Sequence, residues 1–107
     1  MGVLDRLNSS NNDSYLTDVH NLNGTTDNKP PKGYSSEKKS WEAKSGMRFG
    51  SCSCCGSGHK ANVGAYIQKS NERDKTWYIV PLCYDCNNKP SSEQFHVRSD
   101  DLVPINQ

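Results

Sequence analysis

Cys52-Ser53-Cys54-Cys55-Gly56 and Cys83-Tyr84-Asp85-Cys86 are two cysteine knuckles, and the 27 residues between Cys55 and Cys83 read as a β-hairpin. Two Cys-x-x-Cys pairs supply four soft thiolates, the donor set of a tetrahedral structural Zn²⁺. In a small domain such a site also supplies folding energy, because its ligands converge only in the folded chain. Cys52 and Cys55 have the two-residue spacing followed by Gly56, which makes Cys54 the supernumerary thiol. The alternative, in which Cys54 replaces Cys52 or Cys55, stays open at this point. His59, four residues past Cys55, is a candidate ligand or hydrogen-bond partner of a thiolate, or a plain surface histidine.

Outward from the knuckles, Gly56 and Gly58 can take the positive φ that a tight knuckle requires. Asn62 to Gln68 reads as a strand, with Val63, Ala65 and Ile67 on one face and Gly64 and Tyr66 on the other. Ser70 to Lys75 is the turn, and Thr76-Trp77-Tyr78-Ile79-Val80 the β-branched and aromatic return strand. Alternation puts Trp77 and Ile79 on one side and Tyr78 and Val80 on the other, so one set is expected in the core and the other partly exposed. Asp85 to Lys89 predicts a short helix stopped by Pro90, and Gln94–Arg98 and Leu102–Ile105 predict further extended cover.

Residues 1–45 are dominated by Asn, Ser, Asp, Thr, Lys and Gly. Such composition buries too little surface to repay ordering entropy, so a flexible, mostly disordered polar arm is expected, with the domain at 46–107. Within the arm, Val3, Leu4 and Leu7 fit one amphipathic helical turn, and Tyr15, Leu16, Val19 and Leu22 a second. These are candidate docking motifs for a protein partner. Ser36 to Lys44 predicts a turn or two of helix carrying Trp41, which is expected to pack on the domain.

A chain of 107 residues, 32% hydrophobic, holds one small core and calls for a staple. All five cysteines lie between positions 52 and 86, their number is odd, and no apolar leader precedes Asp5 and Arg6. The expectation is a reducing, cytoplasmic setting and not a disulfide framework. No apolar run approaches the ~18 residues of a membrane span. The net charge of +1 becomes about −1 once four thiolates and Zn²⁺ are included, which argues against a nucleic-acid module relying on basic excess. Arg48, Lys60, Lys69, Arg73, Lys75 and Lys89 are interleaved with Glu72, Asp74 and Asp85, as on an ordinary solvated surface.

A knuckle, a hairpin and a second knuckle at the start of a short helix is the order of parts in a treble-clef zinc finger, so the fold class expected is a small zinc-stabilised α+β domain. Gly64-Ala65-Tyr66-Ile67, followed by Trp77-Tyr78-Ile79-Val80-Pro81-Leu82-Cys83-Tyr84-Asp85-Cys86-Asn87-Asn88-Lys89, resembles the ββα-metal finger of HNH-type endonucleases. The resemblance covers roughly residues 50 to 105 and is greatest to small bacterial and phage proteins whose strand reads Gly-Ala-His-Val or Gly-Ala-His-Ile. It implies a strand histidine as general base and a helix residue that helps hold Mg²⁺. By position these fall on Tyr66 and Asn87, with His59 and His96 as the nearby histidines outside the motif. A tyrosine, with an ordinary pKa of about 10, is a poor base at neutral pH. The expected function is therefore a non-catalytic binding module, with endonuclease the alternative. Tyr66, Trp77, Tyr78 and Tyr84 are its candidate contact residues for a protein or nucleic-acid partner.

Overall fold

The structure, a computed structural model, describes residues 15–22, 30–71 and 73–105. Five strands form an antiparallel sheet in the order β6-β1-β4-β5-β7, where β1 is Leu16–Asn21, β4 Val63–Lys69, β5 Tyr78–Leu82, β6 Phe95–Arg98 and β7 Val103–Pro104. A separate two-stranded ribbon pairs β2 (Ser51–Cys52) with β3 (Gly56–Lys60). Helix α1 spans Glu37–Ser45 and helix α2 Tyr84–Asn87. The small α+β fold expected from the sequence is present, with the hairpin at its centre.

The β4–β5 pairing runs from Val63↔Leu82 to Ile67↔Tyr78. Pro81 sits inside β5 opposite Gly64, and its carbonyl accepts the Ser53 N–H at 2.8 Å. That carbonyl, and with it the proline nitrogen, points away from β4, so the missing N–H costs the hairpin ladder nothing. Ser53 is thereby tied to the sheet, and its Oγ accepts the Arg98 N–H at 3.0 Å.

Both faces of the sheet are covered at β4 and β5, while the β6–β1 end of one face exposes Leu16, Asp18 and His96. On one, Val19, Ala65, Ile67, Val80, Leu82, Phe95 and Val97 pack with Cys52 and Cys86 of the knuckles. On the other, Tyr66, Ile79, Val103 and Ile105 pack under Trp41 of α1. This corrects the expectation that one face of β5 is core and the other partly exposed: Ile79 and Val80, on opposite faces, are both fully buried. The cover comes from a segment assigned to the flexible arm.

α1 is locally well specified. Ser36 caps it by accepting the Lys39 N–H at 3.1 Å, and Gly46 closes it with φ 72° and an N–H bonded to the Glu42 carbonyl. Trp41 packs on the domain as predicted and donates its indole N–H to the Asp101 carbonyl at 2.8 Å. The helix approaches β4 closely because Gly64 has no side chain. A Cβ there would lie 3.0 Å from Glu37 Cβ and 3.2 Å from the Lys38 nitrogen.

The segment Tyr15–Leu22 is a second correction. The predicted amphipathic turn is instead β1, an interior strand paired with β4 (Val19↔Lys69) and β6 (Asp18↔His96). Its buried positions alternate, Val19 and Asn21, whereas Tyr15 and Leu16 of the supposed helical stripe are exposed. Two partner strands supply backbone hydrogen bonds and apolar cover that an isolated short helix lacks. Together, β1 and α1 move the boundary: position 46 falls within packed structure, and the domain includes parts of residues 15–45. The remainder of the predicted arm, including Val3, Leu4 and Leu7, lies outside the described residues. Among those described, no helix is long and apolar enough to cross a membrane.

Candidate metal centre

The ribbon delivers the first pair of sulfurs. β2 ends at Cys52, the chain turns tightly, and Gly56 (φ 94°) starts the return strand. The Cys55 N–H points at Cys52 Sγ, 3.4 Å away. The second pair comes from α2: Cys83 occupies its N-cap position and Cys86, buried, its third residue. Two pairs of sulfurs are thus presented by a tight turn and a helix start.

The four ligand atoms of Cys52, Cys55, Cys83 and Cys86 lie within 4.8 Å of one another. Cys55 Sγ is 3.8 Å from Cys83 Sγ and 3.6 Å from Cys86 Sγ. Tetrahedral thiolates at about 2.3 Å from a zinc ion stand ~3.8 Å apart, whereas a disulfide would bring two sulfurs to about 2.05 Å. The five cysteines are free thiols. The cluster can hold a metal ion, and its donor set and spacing fit zinc.

The electrostatics fit a cation as well. Burial first, then crowding by the Cys54, Cys55 and Cys83 sulfurs, raises the Cys86 thiol well above its ordinary value. For Cys55, the hydrogen bond with Cys86 favours the thiolate, but partial desolvation and the neighbouring Cys83 and Cys52 sulfurs outweigh it, pushing the thiol up to about 11. Cys52 moves the other way. Its burial opposes ionisation, but backbone N–H groups of Cys55, Cys83 and Cys54 aimed at the sulfur prevail. Four thiolates this close repel one another unless a divalent cation lies between them.

Cys54, the open alternative at the sequence level, is outside the converging set and is half-buried against the core. His59 is exposed on β3, also outside it. His96 stands on β6 with Nε2 2.6 Å from Asp18 Oδ1. Neither histidine lines the cavity at Tyr66.

That cavity, ≈ 350 Å³, brings Tyr66 and Asn87 together with Ser36, Glu37, Lys38 and Asn62. The Tyr66 hydroxyl donates to Glu37 Oε2 at 3.0 Å. Burial first, then the Glu37 carboxylate, pushes the Tyr66 phenol far above its usual range. Of the four aromatic candidates, Tyr66 and Trp77 belong to the core beneath α1, their rings 5.8 Å apart. Tyr78 leans on the opposite core and donates to Asp74 Oδ2, while Tyr84 is 59% exposed. Two cations of the mixed surface are paired, Lys69 with Asp74 and Lys89 with Glu93.

Sequence reasoning missed Glu37 and Asn21. Asn21 Nδ2 donates to the carbonyls of Cys86 (2.9 Å) and Lys89 (3.0 Å), binding β1 to the second knuckle. Its signal was a polar residue two positions after Val19, on the same face, visible only once the segment is read as a strand. No protein-family model, curated protein or solved structure matches this chain.

Proposed function

We propose that this chain is a zinc-supported, non-catalytic binding module of treble-clef type, acting on a protein or on a protein–nucleic-acid complex in a reducing compartment. The convergence of four sulfurs from a turn and a helix start carries the reading. Zinc would be held by Cys52, Cys55, Cys83 and Cys86 and, with no open ligand position, would support the fold. The five free thiols suit a reducing setting.

A general base at Tyr66 is disfavoured by its surroundings. To accept a proton it would first have to become phenolate, and both its burial and the adjoining Glu37 carboxylate oppose that charge. α1 also lies directly over Gly64, the start of the resembling stretch. Among the described residues, the surface left for contact has Tyr84 and Tyr15 as its broadly exposed aromatics.

One observation favours the second reading, an HNH-type endonuclease using Mg²⁺: the two positions carried over from the resemblance, Tyr66 and Asn87, line one cavity. Incubating the purified chain with plasmid and single-stranded DNA plus Mg²⁺ or Mn²⁺ separates the two. No cleavage is expected. Cleavage that disappears in Asn87→Ala would replace the binding-module reading with the nuclease. For the preferred reading, elemental analysis is expected to give about one Zn per chain, and a metal-free preparation that stays folded would refute it.

A further inference from the structure

The second knuckle is gripped at both ends by asparagines from outside it. At its start, Cys83 offers α2 no side-chain cap; instead Asn62 Oδ1 accepts the Tyr84 N–H at 2.9 Å. The Asn62 N–H itself bonds the Leu82 carbonyl at 2.8 Å, so the residue holds the chain on both sides of Cys83. At the far end, Asn21 Nδ2 donates to the carbonyl of Cys86 and to that of Lys89 just beyond the knuckle.

Asn21 is 3% exposed, and its Oδ1 has no hydrogen-bond partner among the described residues. The amide cannot flip to remedy this, because Oδ1 would then face two carbonyl oxygens. A buried acceptor is left unmatched while the Cys86 carbonyl is held. Such an unmatched group costs stability, which asks for a compensating role.

We infer that Asn21 and Asn62 are positioning residues for the metal centre. By fixing the backbone of α2 at both ends they preset Cys83 and Cys86 toward Cys52 and Cys55, so docking of β1 and metal binding reinforce each other. The inference rests on the zinc reading above. Coupling follows from linkage: whatever favours the docked strand raises metal affinity, and metal in turn favours docking. Groups that orient ligands from behind typically account for 10- to 100-fold in affinity.

The test uses the full chain, with Zn²⁺ affinity measured by chelator competition and ligand geometry by the absorption spectrum of the Co²⁺ form. Asn21→Leu is expected to weaken Zn²⁺ binding roughly 10- to 100-fold and to alter the Co²⁺ bands. Thr17→Ala is the control on the same strand: it loses a bond to Ser99 Oγ that involves neither asparagine nor α2, and is expected to change affinity less than about 3-fold. Asn21→Leu binding as tightly as wild type, or Thr17→Ala weakening it equally, overturns the inference. If Asn21→Leu does not fold, Asn62→Ala decides, since its side chain is exposed and leaves no cavity. A loss of about 3-fold or more is expected there, and unchanged affinity overturns the inference. Wild type taking up no Zn²⁺ would instead overturn the zinc reading itself.

Discussion

The Tyr66 hydroxyl lies 3.0 Å from Glu37 Oε2, a bond between the sheet's central strand and the first turn of α1. It ties the residue in the expected base position to a helix that the sequence placed outside the domain. The pair links the covering of the sheet to the proposed loss of chemistry.

Glu37→Gln removes the carboxylate while leaving an amide oxygen to accept the phenol. The Tyr66 phenol, raised first by burial and then by Glu37, should shift down toward its usual range while staying above it. Ultraviolet titration of phenolate formation measures this. A phenol raised in the folded state contributes fully below the unfolded value of about 10, and this contribution is lost as pH rises through the folded value. Alkaline unfolding beginning above pH ~10 and made shallower by Glu37→Gln is the expected pattern; an unchanged titration would mean that the bond does not persist in solution.

Zinc uptake should strengthen as pH rises. In the metal-free chain the Cys55 thiol is pushed up to about 11 and the Cys86 thiol is raised as well, so binding near neutrality must displace their protons. Isothermal titration in buffers of different ionisation enthalpy should register proton release, and acidification should release metal and unfold the domain. Cys86→Ser is expected to abolish stable uptake, whereas Cys54→Ser, outside the sulfur cluster, should retain one ion per chain.

Gly64→Val tests the seat of α1. The first added carbon already meets Glu37 Cβ at 3.0 Å and its carbonyl carbon at 3.1 Å, so the helix must move. A loss of about 1–3 kcal/mol in denaturant unfolding is expected, the usual range for overpacking. A red shift in Trp41 emission should accompany it as the indole becomes wetter.

Truncation to residues 46–107 would remove β1 and α1 and uncover parts of both cores. The fragment is expected to lack a cooperative thermal transition even with Zn²⁺ present. In the full chain, Trp41→Ala should cost about 3–5 kcal/mol, the range for emptying a buried aromatic site, since Trp41 is 2% exposed and bonded to the Asp101 carbonyl. A well-folded 46–107 fragment would restore the boundary expected from the sequence.

The sequence by itself determined what depends on near neighbours along the chain. The knuckles follow from cysteine spacing and glycines at positive φ, the hairpin from alternating β-branched and aromatic residues, and α1 from the helical stretch Ser36 to Lys44. Only the tertiary structure decided β1, because Leu-Thr-Asp-Val-His-Asn carries one strongly apolar buried side chain and gets its strand character from β4 and β6, each more than 40 residues away. The same holds for which sulfurs converge, for Glu37 meeting Tyr66, and for Asn21 reaching Cys86 across 65 positions. Local pattern encodes backbone periodicity and turn chemistry; the placement of a single polar side chain against a distant carbonyl depends on how all the elements pack, and leaves no periodic trace in the sequence.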